Sequence, residues 1–327
     1  MTKNVLILGG TGFIGSHIAR EFFAQGFKIK IFHRGTSDFR ALEGIEFEKV
    51  RGNLKDPASL EAAFAKTDIV VHAAAPYPIY SLNGKKFLKS SLGVTLNVIE
   101  AAKRSFRGRM IYVSSLSTMG LSKSGLADET TPYHPIATTY HIAKKAMEEK
   151  YLEAARNGLD VVIVNPTGCF GERDIKPTSG EFIVRILKQK IPALIKAPMN
   201  VVDIHDVAHG VFLAYQKGKS GERYILGGED INSLQFAKLV AELAQISFKV
   251  PTVPAWLARF TANLSEWVDG YLLRKPKPSI PTVGIDLIQY SQHLSSAKAE
   301  KYLGYTHQPI GPALERSIQW FRTHGYA

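Results

Sequence analysis

Cysteine is nearly absent: the 327 residues hold one, Cys169. A single thiol cannot close an internal disulfide, which fits a reducing compartment. Long apolar runs are missing as well. No stretch reaches the roughly 18 apolar residues of a membrane span, so none is expected. The start of the chain lacks the basic, apolar and small-residue succession of a secretory leader. It runs directly into Asn4-Val5-Leu6-Ile7-Leu8, and a cytoplasmic location is expected. Acidic residues are the minority, 29 against 41 Lys and Arg, for a net charge of +12. Such a balance suits anionic partners. The basic residues are scattered, with no dense block, so most read as solvated surface and nucleic-acid binding is not expected. His205 and His209 flank a helix start with no cysteine or carboxylate at ligand spacing, so no metal is expected.

What is present is alternation. Short apolar runs at Val5–Leu8, Lys28–His33, Phe47–Arg51, Ile69–His72, Met110–Val113 and Val161–Val164 read as strands. Helical patterns separate them at Ser16–Gln25, Ala58–Ala65, Thr95–Ser105 and Ile136–Ala155. This order predicts an α/β chain with a parallel sheet and helices on both faces. After Pro166 the regularity falls off into Gly- and Pro-rich loops at Gly168–Gly180. Helices are expected at Glu181–Lys188, Asp206–Tyr215 and Ser233–Ala244, with Asp206 and Ser233 as N-caps. A further helix over Trp256–Leu273 has apolar residues at helical spacing, and Ile310–Phe321 closes the chain. The length suits a large first domain, 1–167, and a second lobe, 168–327, with some segments returning to the first.

Gly9-Gly10-Thr11-Gly12-Phe13-Ile14-Gly15 sits directly between the first strand and a helix. Glycine permits the tight turn and lets backbone approach a pyrophosphate, while the helix N-terminus offers N–H groups to the anion. A dinucleotide site is expected there. NAD-preferring sites usually place an acid at the end of the next strand. Here Phe32-His33-Arg34-Gly35 has none, and the Arg34 fork suits a 2′-phosphate. NADP is therefore expected over NAD.

Tyr140-His141-Ile142-Ala143-Lys144 puts Tyr140 and Lys144 on one helix face. A neighbouring ammonium favours the phenolate and readies the hydroxyl for proton transfer. Ser115, after the fifth strand, falls at the carboxyl edge of the sheet, where ligands bind in such folds. Its hydroxyl can orient a carbonyl or alcohol while Tyr140 moves the proton. Ser114 and Ser117 read as turn formers.

Together, GGTGFIG at 9–15, HAAA at 72–75, SSLSTMG at 114–120, YHIAK at 140–144 and NPTG at 165–168 resemble the extended short-chain dehydrogenase/reductases. That group includes sugar-nucleotide epimerases and dehydratases, dihydroflavonol reductases and 3β-hydroxysteroid dehydrogenases. VIVNPTGCFGERDIKPTSG at 162–180, GERYILGGEDI at 221–231 and SSAKAEKYLGY at 295–305 are more closely similar to hopanoid-associated sugar epimerases. The resemblance implies a doubly wound, Rossmann-type parallel sheet with a smaller C-terminal α/β substrate lobe. It implies Tyr140 as acid/base, Lys144 as its activator and Ser115 as hydroxyl partner. Asn53 and Leu54 stand where the family has an Asp and an apolar residue against adenine. Ala73, Ala74 and Ala75 line the cofactor, and Pro166 and Thr167 form the nicotinamide-side turn. The family's helical Asn falls at Ser91. A homodimer through the helices at 95–105 and 136–155 is implied.

The expected reaction is NADPH-dependent reduction of a ketone on a small molecule. The alternative is an NAD-dependent sugar-nucleotide epimerase or dehydratase, and a non-catalytic dinucleotide-sensing or nucleic-acid-binding protein stands as the other class. Loops around 76–90, 168–200 and 250–281 are expected to set the substrate. Cys169 reads as a buried filler. Trp256–Leu273 reads as packing of the small lobe, with Arg274, Lys275 and Lys277 leaving peripheral membrane contact open.

Overall fold

The structure is a computed structural model that describes residues 2–75, 84–122, 125–133, 138–275 and 278–327. Twelve strands form among them: β1 Asn4–Leu8, β2 Lys28–His33, β3 Glu48–Arg51, β4 Ile69–His72, β5 Arg109–Val113, β6 Leu126–Ala127, β7 Val161–Pro166, β8 Gly168–Phe170, β9 Pro198–Asp203, β10 Arg223–Leu226, β11 Glu229–Asn232 and β12 His293–Leu294. The α-helices are α1 Phe13–Ala24, α2 Pro57–Phe64, α3 Gly84–Ser105, α4 Thr139–Arg156, α5 Gly180–Leu187, α6 Ile204–Lys217, α7 Ser233–Leu243, α8 Ala255–Trp267, α9 Thr282–Gln289, α10 Ala297–Leu303 and α11 Ile310–Thr323.

Seven strands make one sheet in the order β10-β7-β5-β4-β1-β2-β3, every neighbour parallel. Parallel strands need crossovers, and the helices that supply them cover both faces. The pleat sorts β1 between two cores. Val5 and Ile7 pack with α1 and α6 residues such as Ile18, Phe22 and Val211. Leu6 and Leu8 pack with Leu60, Val98 and Tyr151 from α2, α3 and α4. The strand order reverses between β1 and β4, which opens a crevice at their carboxyl ends. A third core, around Phe170, Phe236 and Phe321, holds α5, α7 and α11 against the small sheet β11-β9-β8.

Several elements differ from expectation. The first helix starts at Phe13, three residues early, because Gly12 in extended conformation serves as its N-cap. The third begins at Gly84 rather than Thr95. Its first turns carry the helix formers Lys85, Lys86, Leu88 and Lys89, and the hydroxyls of Ser91 and Thr95 donate back to the carbonyls of Phe87 and Ser91 and are buried there. The helix of 204–217 is capped by Asp203, not Asp206, and that of 233–243 by Asn232, not Ser233. Asn232 and Gln235 form a full capping box. The stretch 168–180 was expected to be loop throughout, yet it begins with β8. Residues 223–226 and 204–217 lie beyond 167 but belong to the large sheet and its covering layer.

Candidate active site

The glycine turn leaves β1 at the crevice and enters α1. Gly9 has φ +89°, and a Cβ there would lie 2.7 Å from the Ala74 backbone. At Gly15 a Cβ would lie 2.2 Å from the Gly9 carbonyl oxygen, so helix and turn touch backbone to backbone. No side chain caps α1 and no acid sits in its first turn, so its N–H groups around Thr11, Phe13 and Ile14 stay open to an anion. Ala73, Ala74 and Ala75 follow β4 on the other wall, with the Ala73 amide donating to Leu8. At the far end of the crevice, Pro166 and Thr167 close β7, and the Thr167 hydroxyl is buried with no partner. A glycine cradle that a methyl group would fill at one end and an orphaned hydroxyl at the other fit a bound dinucleotide. Gly9→Ala is expected to weaken dinucleotide binding by at least about 100-fold, since both the left-handed φ and the space are lost. Fluorescence titration checks it, and binding within about threefold of the original would overturn the assignment.

Arg34 is exposed just past β2, with no hydrogen bond or ion pair on its side chain. Arg51, at the end of neighbouring β3 and paired in register with His33, reaches Gly35: its Nη2 lies 3.5 Å from where a Gly35 Cβ would be. Arg51 carries no local pattern and only the pairing of β2 with β3 reveals it. Asp38 is nearby in sequence, but Arg40 holds its carboxylate through Nε and Nη2 at 3.0 and 2.7 Å. Arg40 thereby keeps Asp38 below the usual carboxylate range. Asn53 spends its side-chain carbonyl on the Lys55 amide, and the Leu54 carbonyl accepts from Asn97. Ser91 is buried in α3 and returns its hydroxyl to the backbone, so it offers no relay.

Tyr140 and Lys144 lie one turn apart on α4, each 7% exposed, with the ammonium 6.0 Å from the phenol ring centre. Burial pushes Lys144 down to about 8, and the Glu148 carboxylate one turn further opposes that shift. Ser115 starts the turn after β5, where its hydroxyl accepts from the Ser117 amide at 3.2 Å and meets the Ser117 hydroxyl at 3.2 Å. His72, ending β4, is fully buried. That burial, with the Lys144 charge adding to it, holds the ring down to about 4 and therefore neutral.

Glu148 was not legible as part of the site. It is fully buried on α4, and three donors meet its Oε2: Ser114 Oγ at 2.6 Å, Thr118 Oγ1 at 2.7 Å and Asn165 Nδ2 at 2.6 Å. Arg223 of β10 pairs with its Oε1 at 3.0 Å. Asn165 also donates to the Ser115 carbonyl at 3.2 Å. One carboxylate thus ties the helix bearing Tyr140 and Lys144 to the ends of β5 and β7 and to β10. The only local signal is its spacing, one turn beyond Lys144 on the same face.

Other histidines and the cysteine have structural partners. Cys169 is buried, its thiol against the Thr167 carbonyl and pushed up to about 12 by burial. His141 is buried between Thr138, Tyr140 and Tyr290. His205 does have a carboxylate beside it, contrary to the spacing argument: Glu172 arrives from the loop after β8 and accepts at 2.8 Å. Arg316 of α11 takes the other Glu172 oxygen at 3.0 Å, supplying a fixed cation to that acid. The substrate-setting loop at 76–90 lies outside the described residues over 76–83.

With this geometry in hand, relationships are unambiguous. The NAD dependent epimerase/dehydratase family matches residues 5–227, and the chain belongs to that family. It is an enzyme of the extended short-chain dehydrogenase/reductase type, with a nicotinamide dinucleotide as cofactor. A protein of Synechocystis sp. named as a dihydroflavonol 4-reductase is 32% identical across 100% of this chain and 96% of its own. Sterol demethylase protein B of Methylococcus capsulatus is 27% identical across 98% of each. A nucleoside-diphosphate-sugar epimerase of Pseudomonas aeruginosa superposes with a TM-score of 0.85 at 28% identity, covering 100% of this chain and 99% of that one.

Proposed function

We propose that the chain is an NADPH-dependent reductase of a small-molecule ketone, using Ser115, Tyr140 and Lys144. When bound, the dinucleotide supplies the hydride. The Ser115 hydroxyl at the carboxyl edge of β5 orients the carbonyl oxygen, and the Tyr140 hydroxyl gives that oxygen its proton. Lys144, kept charged at neutral pH by Glu148, favours the phenolate left on Tyr140. The net change is ketone and NADPH plus a proton to alcohol and NADP. The observation that carries this reading is the pair Arg34 and Arg51 at the ends of adjacent strands, with Asp38 already occupied by Arg40. Two guanidinium groups and no free acid suit a 2′-phosphate, hence the cofactor that cells use for reduction.

Wild type is expected to bind NADPH about 100-fold more tightly than NADH, from roughly 1.5–3 kcal/mol of charge-assisted hydrogen bonding. Arg34→Asp is expected to reverse that order, and Arg51→Ala to remove about half of the preference in free energy. Equal affinities in wild type would remove the basis for a reductase. The likeness to the Pseudomonas epimerase favours a second reading, epimerisation of a sugar nucleotide with the dinucleotide retained through the cycle. Product analysis separates the two: a ketone reductase consumes one NADPH per alcohol formed, whereas an epimerase interconverts its sugars with no net change in nicotinamide absorbance.

A further inference from the structure

The helix α8 is two-faced in an unusual sense. Ala258 and Ala262 point inward, Ala258 packing with Ile195 and Ala197. Its large apolar residues point out. Trp256, Phe260, Leu264 and Trp267 follow one another at intervals of four, four and three, which places them on a single stripe. Tyr271, Leu272 and Leu273 extend the apolar surface through the π-turn Val268–Leu272 and just past it. All seven are between 50% and 73% exposed, and they make up most of the exposed large apolar side chains among the described residues. A helix serving only to pack the small lobe would bury the tryptophans and show the alanines, so the packing expectation for 256–273 is overturned.

Charge is sorted in the same way. Each carboxylate of this region turns inward. Glu266 accepts from the Thr282 amide at 2.8 Å and hydroxyl at 2.7 Å. Asp269 takes Lys275 and the Ser279 amide, and Asp286 pairs with Arg259. Both aspartates are buried. Arg274 stands exposed where the stripe ends, next to Lys275, whose ammonium Asp269 holds. The outer face therefore offers apolar and aromatic groups, a cationic end and no unengaged acid, on a chain of net charge +12. No helix among the described residues is long and apolar enough to cross a membrane.

We propose that α8 and the turn after it form an interfacial docking surface for an anionic phospholipid bilayer. The helix lies in the membrane plane, its Trp and Phe side chains seated at the headgroup–acyl boundary and Arg274 against lipid phosphates. Aromatic rings prefer that boundary, and basic residues add attraction to acidic headgroups. The proposal does not depend on which reaction the enzyme performs.

The test uses full-length protein and sedimentation with vesicles of equal phosphatidylglycerol and phosphatidylcholine, or of phosphatidylcholine alone. Wild type is expected to sediment with the anionic vesicles, with a blue shift of tryptophan emission. Binding is expected to fall at least about tenfold on neutral vesicles and at least about fivefold with Arg274→Glu. Trp256→Ser/Phe260→Ser/Trp267→Ser is expected to lose at least about 30-fold in partitioning. These side chains are exposed, so melting temperature and NADPH affinity, measured on the same samples, are expected to hold. Failure of wild type to bind anionic vesicles, or equal binding by the triple variant, overturns the proposal. So does a wild-type oligomer that the triple variant converts to a smaller species without vesicles present, since the stripe would then be covered by a second copy of the chain.

Discussion

Tyr140→Phe is expected to lower turnover by about 1,000-fold if the proposed proton transfer holds, within the span usual for loss of a general acid, while the dinucleotide binds within about threefold of wild type. The phenol ring is buried against α4 and the change removes one oxygen, so the ring's packing persists and the melting temperature shifts little. The split matters more than the size. Loss of rate with intact binding says that the hydroxyl acts on substrate, whereas joint loss says that it only supports the crevice. Single-turnover rates with saturating NADPH, set beside a binding isotherm, make the distinction. A variant turning over at the wild-type rate would remove Tyr140 from the chemistry altogether.

Glu148→Gln is expected to have two large effects at once. The first is on the fold. An amide nitrogen facing Ser114, Thr118 and Asn165 accepts from none of them, the flipped amide sets its N–H groups against the Arg223 guanidinium, and either way Arg223 loses its counter-charge in a mostly buried position. Breaking such a buried pair costs about 3–5 kcal/mol when one partner is removed. The isosteric amide retains some bonds, so about 2–4 kcal/mol is expected from denaturant unfolding. The second is on the pH profile. Lys144 sits at about 8 because burial disfavours its charge and Glu148 only partly offsets this. Without the carboxylate the ammonium is lost at lower pH, so the alkaline limb of the rate profile is expected to move down by roughly one unit. The sign for stability runs the other way. A lysine depressed in the folded state binds fewer protons there than when unfolded, so its burden on the fold is full below about 8 and fades as pH rises towards 10.5. A variant that is destabilised but keeps the wild-type pH limb would make Glu148 a structural residue only.

The first half of the chain was readable because its physics is local. Lys28–His33 alternates Lys with Ile before Phe32, Ile69–His72 is an apolar run, and both form at those positions. The glycine turn reads by itself, since φ +89° at Gly9 and the backbone contact at Gly15 admit no other residue. Legibility ends where partners are remote. Pro198–Asp203 mixes Pro, Asn and Asp with its apolar residues and Arg223–Leu226 begins on a charge, and they are strands because β8, β11 and β7 lie beside them. Glu148, Arg51 and Glu172 look like surface charges in sequence. Each gains its role from a residue brought up by the fold, Arg223, Gly35 and His205 respectively. The stripe on α8 failed for the opposite reason. Its periodicity was plain, but period alone reports a face and not what lies against it.

The large sheet is interrupted in a way that bears on how such enzymes diversify. The chain leaves it at Pro166 and rejoins it at Arg223, whose strand pairs with β7 and whose guanidinium closes on Glu148. Between them β8, α5 and β9 make an excursion, its far end clamped by α6 as that helix returns to cover the sheet. Its length and composition can drift through evolution without moving the hydroxyls and ammonium of α4. A lineage can thus exchange the contents of that excursion and leave the helix that carries Tyr140 and Lys144 where it is.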